Sequence, residues 1–138
     1  MSGIQLAEGV TDPKVKSGVT AYLNVDGAAK AAELYERAFG AKEVARYPLD
    51  DKGRTMHLHL YINDASVMLS DPFPEYGSPA QTPQAFTLHL QVDDVDHWWK
   101  RATDAGLQII MPLDRMFWGD RYGQLKDSFG VMWSIGGN

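Results

Sequence analysis

The chain writes one strand-and-helix pattern twice, and this repeat constrains its fold more than any other feature. At an offset of 67, "TAYLNVDGAAKAAELYERAFG" (Thr20 to Gly40) lies over "TLHLQVDDVDHWWKRATDAG" (Thr87 to Gly106), with one residue gapped before the final glycine. Thr20 meets Thr87, Leu23 meets Leu90, Val25 meets Val92 and Asp26 meets Asp93. A second echo follows: "VMLS" at 67–70 returns as "VMWS" at 131–134. Two copies at so long a period are too few for a solenoid. They predict a duplicated module with its halves related by an approximate two-fold.

Each copy reads the same way. An alternating strand opens it, with Val19, Ala21, Leu23 and Val25 on one face and Thr20, Tyr22 and Asn24 on the other. In the second copy Phe86, Leu88, Leu90 and Val92 oppose Thr87, His89 and Gln91. An aspartate is then expected to cap a helix, Asp26 first and Asp93 or Asp94 second. The first helix carries Ala31, Leu34, Tyr35, Ala38 and Phe39 at helical spacing; the second carries Val95, Trp98, Trp99 and Ala102. Gly40 and Gly106 stand where a left-handed residue ends each helix. Shorter strands are expected over 42–47, 55–62 and 66–70, then over 107–110, 121–126 and 131–135. The fold class is therefore α+β, with two βαβββ modules in tandem forming a curved mixed sheet around a cleft. The expected organisation is a tail (1–17), a first module (18–71), a linker (72–84) and a second module (85–138), in one structural domain. "DPFPEYGSPAQTP" (71–83) carries four prolines and reads as that linker or a flap. "DDKG" at 50–53 reads as a hairpin turn.

The alternation bears on chemistry. The apolar faces must point at the helices. The opposite faces hold Thr20, Tyr22, Ser70, Thr87, His89 and Ser134, too polar for an ordinary core. Two such faces brought together would line a polar cleft, to which both modules contribute a strand.

Composition narrows the function classes. At 138 residues and 44% apolar, the chain can bury a core and is not disordered. No run of about eighteen apolar residues exists, so no membrane helix is expected. The N-terminus lacks an apolar signal region, and cysteine is absent, which removes disulfides and thiolate chemistry. A cytoplasmic protein is the expectation. A net charge of −5 leaves no nucleic-acid footprint and favours neutral or cationic partners.

These paired modules, with "LNVDGAAKAAELYERAFGAKEV", "VMLSD" and "FWGDRYGQLKDSFGVMWSI", resemble the vicinal-oxygen-chelate superfamily. That group includes glyoxalase I, extradiol dioxygenases, fosfomycin-resistance enzymes and bleomycin-binding proteins. The likeness covers about residues 18–136 and is strongest to the phosphonate-operon-associated, glyoxalase-like branch, for which "FWGDRYG" followed by "D-x-F-G" is fairly specific. The resemblance implies metal positions on the first and last strand of each module. Here they fall on Thr20, Ser70, Thr87 and Ser134, all hydroxyl residues and poor ligands for zinc, nickel or iron. The inherited metal site is therefore read as absent, and no cofactor is expected.

A relocated site is the alternative. His57 and His59 alternate with Leu58 and Leu60 and so share a face, and His89 lies on the polar face of its strand. Three histidines are a recognised ligand count. The plainer reading has them as neutral hydrogen-bonding groups, since no carboxylate falls at matching spacing. His97 reads as a surface residue of the second helix's first turn. Arg121 could bind an anionic group through its fork, or could pair with Asp120 or Asp127. Phe117 and Trp118 could wall a flat ligand, or cap the core. Trp98 and Trp99 read as helix packing or a dimer contact.

The ligand-binding residues expected are Tyr22, His59, Ser70, His89, Trp118, Arg121 and Ser134. The expected function is metal-free binding of a small molecule. The alternative is a superfamily enzyme of lyase, transferase or dioxygenase type, using a relocated histidine site or acid–base chemistry by His89, Tyr22 or His59. A homodimer is expected, with the linker at 72–83 and Trp98/Trp99 as contact elements.

Overall fold

A computed structural model describes residues 3–138 of the chain. They form two units, residues 3–36 with 40–81 and residues 37–39 with 82–138.

The first unit is built on a five-stranded sheet. Strands β1 (Gln5–Leu6), β2 (Ala21–Asn24), β3 (Lys42–Arg46), β4 (Leu58–Ile62) and β5 (Ala65–Ser70) lie in the order β1-β3-β4-β5-β2, and helix α1 spans Ala28–Phe39. Strands β2 and β5 run parallel; the other pairs are antiparallel. The helix side of the sheet is the core, with Leu23, Val25, Leu58, Leu60, Ile62, Val67 and Leu69 all buried. The five apolar residues expected on α1 are buried too. Val19, expected on that face, is 94% exposed because the strand begins only at Ala21.

The second unit repeats the module: β6 (Leu88–Gln91), α2 (Val95–Asp104), β7 (Gln108–Arg115), β8 (Arg121–Lys126) and β9 (Met132–Gly137), in sheet order β6-β9-β8-β7. Strands β6 and β9 are parallel. Leu90, Val92, Leu125, Trp133 and Ile135 are buried, and Val95 and Ala102 anchor α2. Trp98 and Trp99 are half-buried. Trp99 packs where a side chain on Gly123 would stand, 2.5 Å from a β-carbon built there, so Gly123 is the space that admits the indole. Among the described residues no helix is long and apolar enough to cross a membrane.

Three expectations are corrected, and a choice between two caps is decided. Asp26 does not cap α1: the N-cap is Gly27, at φ 107, and its amide and that of Ala28 are taken by Asp71. In α2, of the two candidates, Asp94 is the cap and accepts from the His97 amide. The tail contributes β1, which pairs antiparallel with β3. The strand expected over 107–110 continues through Pro112 to Arg115; as an edge strand it tolerates the missing amide, with bulges either side of Met111.

The two copies also differ in register. Tyr22 pairs with Met68 and Asn24 with Ser70, whereas His89 pairs with Ser134 and Gln91 with Gly136. Since Tyr22 corresponds to His89, Ser134 occupies the place of Met68 rather than that of Ser70. The expected equivalence of the two serines is off by two residues. An even slip keeps both on the face away from the helix. Its origin is the preceding turn. In the first unit Asn63 and Asp64, at φ 48 and 63, make a two-residue hairpin. In the second, residues 127–131 form a longer loop, held by Asp127 accepting from the Phe129 and Val131 amides.

Candidate functional site

In each unit the sheet face away from the helix carries polar side chains, and most of them are bonded to one another. In the first unit Tyr22 Oη lies 2.7 Å from His57 Nδ1. Burial raises the Tyr22 pKa and lowers that of His57, so a neutral phenol meets a neutral imidazole at neutral pH. Tyr22 is 53% exposed and open to a ligand.

His59 is differently placed. It is 2% exposed, with Nε2 2.7 Å from Ser66 Oγ. The N-terminal arm shields this spot. The Lys16 amide donates to Ser66 Oγ, the Ser66 amide donates to the Lys16 carbonyl, and Tyr61 donates to the Lys14 carbonyl. Lys16 also pairs with Asp64 at 2.8 Å. A ligand could reach His59 only if residues 14–16 moved.

The second unit holds a longer chain of contacts. Gln91 Nε2 donates to Asp120 Oδ2 at 3.1 Å. A carboxylate only accepts, so the amide nitrogen faces Asp120 and the amide oxygen faces His89 Nε2, 2.8 Å away. Nε2 must then carry the ring proton, leaving the Nδ1 lone pair to accept from Ser134 Oγ at 2.7 Å. Asp120, through Gln91, thus selects the tautomer of His89. Gly136 makes room for the ring: a β-carbon there would come within 2.9 Å of His89 Cε1. Tyr122 stacks on His89 at 5.7 Å and 24°, Trp118 meets Tyr122 edge-on, and Phe117 meets Trp118 edge-on. Phe117 is 97% and Trp118 54% exposed, so the row of rings ends in the open. Of this set, Gln91 was legible as a same-face neighbour of His89. Its partner Asp120 lies 29 residues away and left no local signal.

The remaining expected residues sit as follows. Arg121 pairs with Asp96 in the first turn of α2 at 2.9 Å, and not with Asp120 or Asp127 as anticipated; its guanidinium is therefore turned to the helix side. Ser70 Oγ donates to the Asp71 carbonyl. Thr20 and Thr87 immediately precede β2 and β6. As a metal site the four hydroxyl positions do not fit. All four are neutral oxygens, and the two serines are engaged with a carbonyl and an imidazole. Among the described residues no three His, Asp or Glu side chains are grouped to hold a metal ion.

Half-buried His57 and buried His59 make stability depend on pH. Burial of His57 and His59, with His57 acting on His59 as a second cause, depresses both pKa values. The unfolded chain therefore takes up protons first as pH falls. The stability from neutral histidine is complete above the unfolded value of about 6.5 and is lost as pH falls toward the folded values. Tm is expected to hold between about pH 8 and 7 and to decline between about pH 6.5 and 5, above the range where carboxylates titrate. The variant His57→Asn/His59→Gln should flatten that decline. A wild-type Tm level across the window would contradict the assignment.

The chain's sequence matches the model of the Glyoxalase/Bleomycin resistance protein/Dioxygenase superfamily over residues 17–135. It is 41% identical over 128 residues to an uncharacterized protein of Mycobacterium bovis, covering 88% of this chain and 84% of the relative. Protein PA1353 of Pseudomonas aeruginosa has a similar solved structure, with a TM-score of 0.72 at 27% identity, covering 87% of this chain and 96% of that one. The PhnB protein of Bacillus cereus shares the fold, with a TM-score of 0.67 at 22% identity, covering 88% of this chain and 100% of that one.

Proposed function

Because the chain belongs to the Glyoxalase/Bleomycin resistance protein/Dioxygenase superfamily, we propose that it binds a small organic molecule on the polar sheet face of its second unit, without the superfamily's metal. The observation that carries this reading is the Asp120–Gln91–His89–Ser134 chain. It holds His89 in one tautomer beneath the Tyr122 and Trp118 rings, a ready-made surface of polar edges and aromatic faces. Sites held rigid before binding lose less entropy when the ligand arrives. Tyr22 and His57 offer a smaller surface of the same kind in the first unit.

A thermal-shift screen of small molecules, run with and without EDTA, tests it. A ligand is expected that raises Tm in both conditions, by an amount that His89→Ala abolishes. Melting without ligand should be indifferent to EDTA, and elemental analysis should find less than one metal per chain. A fall of several degrees in EDTA, reversed by one divalent metal, would replace this reading with a metal site built on His57, His59 or His89.

One feature favours a second reading, catalysis without a metal. The His89 tautomer places a basic lone pair against the Ser134 hydroxyl, which is the arrangement of a general base. If any ligand of the screen is turned over, Gln91→Glu should change the pH dependence of the rate more than the affinity. An unchanged pH profile would leave His89 as a binding group only.

A further inference from the structure

The first unit contains a cavity of about 560 Å³ beside its polar face, where the wall residue Tyr47 meets His57 edge-on. That is within the range of roughly 300–1,000 Å³ common for small-molecule sites. Tyr47, Leu49, Met56 and Tyr76 line it and are 44%, 45%, 51% and 73% exposed. A single exposed apolar side chain is ordinary; four gathered around one concavity are not.

The walls are tied together by one residue. Asp50 accepts from the Lys52 amide, the Arg54 amide and Arg54 Nε, closing the 50–54 turn. Arg54 then reaches the other wall, forking onto Glu75 through both terminal nitrogens at 3.1 and 2.8 Å. Its guanidinium lies 4.3 Å from the centre of the Phe73 ring. All three guanidinium nitrogens are therefore engaged, and no fork is left for a carboxylate or phosphate. Arg54 also holds Glu75 down at about 2 and Asp50 below the usual carboxylate range, so both stay ionised at neutral pH. Two carboxylates, Asp50 and Glu75, thus share one guanidinium, leaving one negative charge at the cavity.

From this we infer that the cavity binds a flat organic cation, its rings lying among Tyr47, Met56 and Tyr76 and its charge toward Glu75 and Asp50. An aromatic wall attracts a cation through the ring faces, and the surplus carboxylate adds to the pull. An anion of the same shape meets a closed fork and a like charge.

Titration with thioflavin T, a flat cationic dye, tests the inference beside the anionic dye 8-anilinonaphthalene-1-sulfonate. Saturable binding of thioflavin T at one per chain is expected, with far weaker binding of the anion. Tyr76→Ala should weaken thioflavin T binding about tenfold, with the fold checked by its melting curve. Glu75→Gln should weaken it about as much and, by freeing the Arg54 fork, should bring in binding of the anion. His89→Ala should leave it unchanged, which separates this site from the polar face of the second unit. The inference is overturned if the two dyes bind the wild-type chain equally, or if thioflavin T fails to bind at about 1 mM. It is equally overturned if binding is indifferent to Tyr76→Ala, or is lost in His89→Ala instead.

Discussion

Replacing Asp71 with alanine is expected to destabilise the chain by about 3–5 kcal/mol, the largest effect of any single polar substitution in the first unit. The carboxylate is 2% exposed and fully employed. Oδ1 accepts from the Gly27 amide at 2.8 Å and the Ala28 amide at 3.0 Å; Oδ2 accepts from the Thr55 amide at 2.8 Å. The first two are the open end of α1, whose other amides point the same way and favour a negative charge there. The third fixes Thr55, itself 1% exposed, whose hydroxyl bonds the Tyr47 and His57 carbonyls. One side chain therefore holds the helix, the segment that leads through His57 into β4, and a wall of the apolar cavity. Alanine leaves two buried donors, the Ala28 and Thr55 amides, and the part-buried Gly27 amide without their acceptor. Asparagine keeps one oxygen for the helix but sets an N–H against the Thr55 amide, so its cost should fall between that of alanine and wild type. Urea melts read both, as a fall in midpoint at constant slope. A loss under about 1 kcal/mol for Asp71→Ala would mean that water satisfies those amides and the junction is dispensable.

That junction also marks where reading the sequence succeeded and where it stopped. The helices were legible because Ala31, Leu34, Tyr35 and Ala38 repeat at helical spacing, a signal within one turn or two. The tandem modules were legible because the opening strand is written twice. Asp26 was the natural cap by position, yet the acceptor for α1 comes from Asp71, 44 residues beyond Gly27. No local pattern announces such a partner. The same holds for Arg121 with Asp96 and for Gln91 with Asp120. The register slip escaped for another reason. "VMLS" and "VMWS" look equivalent as text, but pairing is fixed by the turn before them, and a two-residue hairpin and a longer loop feed the strand in at different points. The slip brings Ser134, rather than Met132, which matches Met68 in the written repeat, beside His89, and so creates the tautomer-setting chain that the repeat alone would not contain.

Leu90→Ala is expected to cost about 2–5 kcal/mol, and His89→Ala, one residue earlier on the same strand, about 1 kcal/mol. The contrast follows from the two faces of β6. Leu90 is 6% exposed and belongs to the second unit's core with Ile135, its partner across the strand pair. Truncation there opens a cavity that packed neighbours fill only in part. His89 lies on the opposite, exposed face, where its loss removes two hydrogen bonds and the stacking on Tyr122. Only Ser134, 1% exposed, would be left with a buried hydroxyl to satisfy, and removing the imidazole opens a way for water to reach it. In ligand binding the order should reverse: His89→Ala abolishes the thermal shift, while Leu90→Ala, if still folded, retains the shift from its lower baseline. The pair thus tests the face assignment by two readouts that cannot fail together for a trivial reason. If His89→Ala unfolds the chain while Leu90→Ala is silent, the faces are reversed. The polar chain from Asp120 to Ser134 would then be core structure, and the proposed binding surface would be lost with it.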